Sequence, residues 1–165
     1  TLCFCSTTHI YAAAENHSMS SPYSVFDIIG PVMVGPSSSH TAGALKLGLS
    51  LYKLLDSKPK QIKIVFFNSF ADTMDGHGTK KAIVAGCLGF EASDPRIKKS
   101  IEIAQQRNIS LVFEKKYDES VHPNSAFISI ETLAGKIFSG FGESIGGGII
   151  QFKQLLLEEA HAWKS

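Results

Sequence analysis

Gln61-Ile62-Lys63-Ile64-Val65-Phe66-Phe67-Asn68 alternates Ile62, Ile64 and Phe66 against Lys63, Val65 and Phe67, so that nearly every residue is β-branched or aromatic. The pattern predicts a strand buried on both faces or nearly so, near the middle of a sheet. Lys58-Pro59, just upstream, stops a helix expected from about His40 to Asp56, where Ala44, Leu47, Leu51, Leu54 and Leu55 recur at steps of three and four. Ser38 or Ser39 can cap that helix. Downstream, Ala71 to Gly78 reads as a loop, and Thr79 opens a second helix through Ala82, Ile83, Ala85 and Gly86 to Leu88, with Gly89 as its stop. Asp94-Pro95 starts a third, over about Arg96 to Arg107 on Ile97, Ile101 and Ala104, and Asn108 suits a left-handed terminator.

Further along, Ser110 to Lys116, Ala126 to Glu131 and Lys136 to Phe141 are expected strands, the last two joined as a hairpin across Leu133-Ala134-Gly135. A last strand is expected near Ile149. From Lys153 the spacing of Leu155, Leu156, Glu158, Glu159, Ala160 and Trp163 predicts a return to helix. The fold class is therefore α+β with a mixed sheet. Towards the N-terminus, Val25, Phe26, Ile28 and Ile29 read as a short helix or strand ended by Gly30-Pro31, and residues 1–22 as a tail, which leaves 23–165 as one domain.

Composition narrows the function. With 165 residues, 44% of them hydrophobic and 19% charged, the chain can bury a core of its own. Sixteen basic against 15 acidic residues give a formal charge of +1, which offers no broad attraction to nucleic acid or to an anionic membrane. No run approaches the roughly 20 apolar residues that cross a bilayer. No Lys or Arg precedes Lys46, which speaks against a secretory signal or mitochondrial presequence and makes the cytoplasm the expected location. Cys3, Cys5 and Cys87 form neither a disulfide framework nor a metal set. A small-molecule role fits best.

Four segments can carry chemistry. Gly35-Pro36-Ser37-Ser38-Ser39-His40-Thr41-Ala42-Gly43 packs Ser37, Ser38, Ser39, His40 and Thr41 into the start of the first long helix. Unpaired N–H groups and the positive end of the helix dipole favour an anion there, and a carboxylate could also accept bonds from the hydroxyls; plain N-capping is the alternative. The Gly-Lys-Ser/Thr ending of a P-loop is missing. Asp75-Gly76-His77-Gly78-Thr79 sets His77 between two glycines at the mouth of the second helix, where an imidazole could serve as a general base or be solvated surface. His122-Pro123-Asn124 can orient a second histidine or simply make a turn. In Ser144-Ile145-Gly146-Gly147-Gly148, the three glycines imply either the close approach of a ligand or partner domain, or a bulge. His9, His17 and His161 receive no role.

Ser24-Val25-Phe26-Asp27-Ile28-Ile29-Gly30-Pro31, followed by the Gly35 to Gly43 segment, resembles the opening of the β chain of iron-sulfur L-serine dehydratases. Asn68-Ser69-Phe70-Ala71 with Gly76-His77-Gly78-Thr79, then His122-Pro123-Asn124, then Ser144 to Gly148 continue the resemblance in the same order over about residues 24–152. It implies an α+β fold, similar also to the allosteric substrate-binding domain of some 3-phosphoglycerate dehydrogenases. It implies a [4Fe-4S] cluster held by three cysteines of a separate α domain or subunit and not by this chain, L-serine as substrate, and a homo-oligomer. His77 would be the α-proton base, His122 its hydrogen-bonding partner and His40 a substrate contact. Ser37, Ser38, Ser39 and Thr41 would line a carboxylate pocket, with Gly78, Thr79 and Asn124 beside the substrate and Gly146, Gly147 and Gly148 where ligand or partner approaches. The chain departs from the family in having no cluster-binding cysteine set and in ending soon after the glycine-rich segment, where many β chains continue into an ACT domain, so a partner chain or further sequence is expected to complete the enzyme. The second reading is a regulatory module that binds serine or another small carboxylate without chemistry.

Overall fold

A computed structural model describes residues 9–10, 39–76 and 78–159. In order, the elements are β1 (His9–Ile10), α1 (Ser39–Tyr52), β2 (Pro59–Phe67), α2 (Asn68–Thr73), α3 (Thr79–Cys87), a 3-10 helix (Pro95–Lys99), α4 (Ser100–Gln106), β3 (Ser110–Lys116), β4 (Ser125–Thr132), β5 (Lys136–Gly146) and β6 (Ile149–Glu159). They make one six-stranded sheet in the order β1-β6-β5-β4-β2-β3. β2 and β3 run parallel while every other neighbouring pair is antiparallel, so the sheet is mixed, as expected. A parallel pair needs a long crossover, and α2, α3 and α4 provide it.

One face of the sheet is closed. Ile62, Ile64 and Phe66 of β2 stand opposite Ile130, Ile128 and Ala126 of β4, and all six are fully buried in one core with α1 and α3. The two helices touch backbone to backbone: a Cβ on Gly48 would meet the Ile83 carbonyl, and one on Gly86 would meet the Leu45 carbonyl. A Cβ on Gly142 of β5 would likewise meet Leu47, so small residues on helix and strand set how close α1 lies to the sheet. The other face of β2 is half-buried at Gln61, Lys63 and Val65 and buried at Phe67, so the strand falls short of burial on both faces but not by much. Lys63 there reaches Glu114 at 2.8 Å, so its charge is paired beside the sheet.

Asp94 caps the 3-10 helix by accepting from Arg96 N–H at 2.9 Å, and Gly89 and Asn108 adopt positive φ (82° and 56°) where stops were expected. The Leu133–Gly135 hairpin is present, with Gly135 at φ 78°. Other expectations need correction. α1 ends at Tyr52 and not at Asp56, because the chain tightens into a last turn with Leu54 N–H on Leu51 and Leu55 N–H on Tyr52. The single helix expected over Arg96 to Arg107 is a 3-10 helix followed by α4. The loop from Ala71 begins inside the short helix α2, and β5 runs on to Gly146.

The largest correction is at the C-terminal end, where β6 is a strand to Glu159 and the helix expected from Lys153 is absent. Its register against β5 slips between Gly142↔Phe152 and Phe141↔Gln154, which leaves Lys153 as an extra residue. That bulge puts Lys153 and Gln154 outside, while Phe152 and Leu155 both pack against the core. An apolar step of three, made by a bulge in a strand, thus mimics a helical spacing.

Candidate active site

The described parts of the four motifs meet at one end of the sheet. β4 is antiparallel to both β2 and β5, so the ends of β2 and β5 lie beside the start of β4, and α1 and α3 begin there too. The hub is α2, which follows β2 directly. Asn68 takes a left-handed turn (φ 47°), and its side chain donates from Nδ2 to the carbonyls of Asp118 (2.7 Å) and Val121 (3.3 Å) while Oδ1 accepts from Asp118 N–H (2.9 Å). Phe70 N–H donates to the Pro123 carbonyl at 3.3 Å, and Tyr117 O–H donates to Asp72 at 2.9 Å. The Asp72 carboxylate accepting that proton raises the Tyr117 phenol above its ordinary range. The loop after β3 is thereby strapped onto α2.

On that loop, His122 is fixed by its neighbours. Asn124 N–H donates to His122 Nδ1 at 3.1 Å, and the His122 carbonyl accepts from Ser125 Oγ at 2.6 Å. A ring that accepts at Nδ1 carries its neutral-form proton on Nε2, which makes Nε2 the donor. The Asn124 carbonyl accepts from Ser144 N–H at 2.9 Å, tying β5 to the same loop. Asn124 Oδ1 is buried without a hydrogen-bond partner, an acceptor ready for a donor.

From the helices, the His40 ring stands 6.1 Å from the Phe70 ring, and a Cβ on Gly43 would collide with Ser144. Thr41 is buried in the first turn of α1. Gly78 precedes α3 with φ 76°, and Thr79 is buried with its Oγ1 3.4 Å from Thr73 Oγ1. Since the Thr73 hydroxyl donates to the Ser69 carbonyl at 2.8 Å, the Thr79 hydroxyl is the donor of that pair. His40, Thr79, His122 and Asn124, distant in sequence, are therefore brought together around α2. Ser37, Ser38 and His77 lie outside the described residues; Ser39 starts α1, and its side chain lies outside them as well. The segment Val25 to Ile29 lies outside them too.

The glycine segment is the tip of the β5–β6 hairpin. Gly147 and Gly148 have φ of 58° and 73°, the signs that a tight primed turn demands, and Gly146 has φ 106°. The register slips between Ser144 and Gly146, which leaves Ile145 as a bulge. A Cβ on Gly146 or Gly147 would meet nothing within 4 Å, whereas one on Gly148 would lie 3.3 Å from Lys46 Nζ.

The described residues do not fit an iron-sulfur cluster. None of their His, Cys, Asp and Glu side chains gather in a group of three or more that could hold a metal ion. Cys87 is buried beneath Gly48, and burial pushes its thiol up to about 12, so it stays protonated where a cluster ligand must be thiolate. Sequence reasoning met Asn68 only as part of a family motif, with no role, and missed Thr73; the further signal was Asn68 at the end of a strand pattern, a residue tolerant of the left-handed turn.

The family model of the serine dehydratase beta chain matches residues 24–154. The chain belongs to this family. It is 48% identical over 132 residues, 80% of its own length, to the "Probable L-serine dehydratase, beta chain" of Bacillus subtilis (strain 168), of which that match covers 60%. It is 42% identical over 130 residues, 78% of its length, to the "L-serine dehydratase, beta chain" of Peptoniphilus asaccharolyticus, covering 59% of that relative. A shorter match, 36% over 76 residues, joins 43% of the chain to 16% of the L-serine dehydratase TdcG of Escherichia coli (strain K12). The chain thus spans about three fifths of the length of the two β chains it matches. Among the described residues, no helix is long and apolar enough to cross a membrane.

Proposed function

We propose that residues 23–165 form the β part of an iron-sulfur L-serine dehydratase, and that this part supplies substrate-binding and acid/base residues for deamination of L-serine to pyruvate and ammonia. The observation that carries the reading is the convergence of His40, Thr79, and the pair His122 and Asn124 on α2 from three separate segments. The match to the β-chain family supports the substrate. The enzyme works in the cytoplasm as a homo-oligomer with a separate α domain or subunit, and a chain with three cysteines and no pairing framework suits that reducing compartment. The [4Fe-4S] cluster, held by the α part, supplies a Lewis acid for the serine hydroxyl.

On this chain, the substrate carboxylate sits at the start of α1, where the helix N–H groups face it with the hydroxyls of Ser37, Ser38, Ser39 and Thr41. His40 contacts the substrate from the same turn. His77, flanked by Gly76 and Gly78, takes the α-proton, and the β-hydroxyl leaves as water with that proton returned to it, which frees the base and gives aminoacrylate, whose imine tautomer is hydrolysed by water to pyruvate and ammonia. His122, with Nδ1 engaged by Asn124, presents Nε2–H to the base and holds it in the right tautomer. Gly78, Thr79 and Asn124 line the substrate, and Gly146, Gly147 and Gly148 lie where the α part approaches.

The experiment is anaerobic pyruvate formation from L-serine by the chain mixed with its cluster-loaded α part, with L-serine affinity measured in parallel. His77→Ala should lower turnover by about 10²–10⁴-fold and leave affinity nearly unchanged. A wild-type mixture that binds L-serine with an intact cluster and makes no pyruvate would refute the reading.

A further inference from the structure

We infer that Ile145 and Ile149, at the tip of the β5–β6 hairpin, are the anchors on which the cluster-holding α part docks, an inference that rests on the two-part reading above. Both side chains face solvent, at 52% and 43% exposure, on either side of a single turn. The bulge at Ile145 and the positive φ of Gly146, Gly147 and Gly148 hold the turn in that shape. From Ser144 to Ile150 there is no charged residue. An uncharged apolar projection matches the centre of a stable protein interface, where charge is depleted and a few large side chains carry the affinity.

The base of the hairpin is held before any partner arrives. Ser144 packs under Gly43, and Gly148 lies against Ala42 and Lys46 of α1, so docking orders little new structure. The tip also connects to the site through two hydrogen bonds: Ser144 N–H donates to the Asn124 carbonyl, and Asn124 N–H donates to His122 Nδ1. A body seated on the tip therefore stands beside His122 and Asn124. That position singles out the α part, which must reach the same substrate, over a second copy of this chain, which needs no access to the site.

The test measures binding of the α part to this chain by calorimetry and sedimentation. Ile145→Ser with Ile149→Ser should weaken the complex about 30-fold, since each substitution removes roughly half of an isoleucine's burial. Leu133→Ser, which alters an equally apolar, 66% exposed residue at the opposite end of the sheet, should leave affinity unchanged. Thermal unfolding of each variant shows whether the fold is kept, and Ile145→Asp alone serves if the double variant melts early. Equal affinity for the wild type and the Ile145/Ile149 variant overturns the docking surface and leaves the two-part reading standing. Absence of any wild-type complex overturns both. A dimer of this chain lost on Ile145→Ser, with α binding unchanged, assigns the tip to a second copy and overturns the proposal.

Discussion

At the end of the sheet where β4 turns into β5, polar groups answer one another. Lys136 meets Asp56 at 2.9 Å, Thr132 bonds the same carboxylate, Lys60 meets Glu131 at 2.7 Å, Leu133 N–H donates to Lys58 and Ala134 N–H to Ser57. At the other end stand His40 and Thr79 in the first turns of two helices and His122 and Asn124 on a loop, a buried acceptor is unpaired, and two isoleucines project into solvent. Each end carries a hairpin turn with glycine at positive φ. Leu133 projects at the first end as the isoleucines do at the second, so the contrast lies in the polar groups: the first end pairs its own, whereas the second leaves a buried acceptor unpaired, as a functional site requires.

The contrast breaks most sharply under changes at His122. His122→Ala should lower pyruvate formation about 100-fold or more with the fold intact, while Lys60→Met at the opposite end leaves turnover alone. Next in size is Gly86→Ala, whose methyl would strike the Leu45 carbonyl and push α1 from α3. That should cost about 3 kcal/mol, a fall of roughly 10 °C in melting temperature. Asn124→Leu sharpens the comparison from another side: replacing an unpaired buried acceptor should leave stability unchanged or raise it by about 1 kcal/mol, while L-serine affinity falls. Gains in stability bought with lost affinity mark a site built for a ligand.

The smallest effect belongs to the paired end. The Lys136 side chain bonded to Asp56 is the main cause holding that carboxyl below its ordinary range, with Thr132 adding to it. A folded-state value below the unfolded one stabilises at neutral pH, and the contribution disappears as pH falls through the folded value. Lys136→Met should thus lower the melting temperature slightly at pH 7 and not at all in strong acid, and a difference that persists there would remove the ion pair from the account. Its exposure keeps the effect small.

Much of this was legible in the sequence, for identifiable reasons. Strong periodicity gave α1, α3 and the alternating strands, and Gly89, Asn108 and Gly135 stopped or turned the chain where their tolerance of positive φ suggested. The motifs at His40, Thr79 and His122 were visible as residue types, but their meeting was not, because it depends on α2, six residues long with too few turns to show a period. β6 misled because the bulge at Lys153 converts a two-residue alternation into a step of three. The glycine segment left a bulge and the approach of a ligand or partner open; the structure has the bulge at Ile145 and, beside it, a hairpin turn that the sequence did not announce.

The most direct test of the convergence is a double-mutant cycle on anaerobic L-serine turnover in the assembled protein, using His40→Ala, His122→Ala and both together. If the two rings act on one substrate, the double variant loses little more than the worse single variant. Losses that multiply, or a single variant with full activity, would contradict a shared site at this end of the sheet.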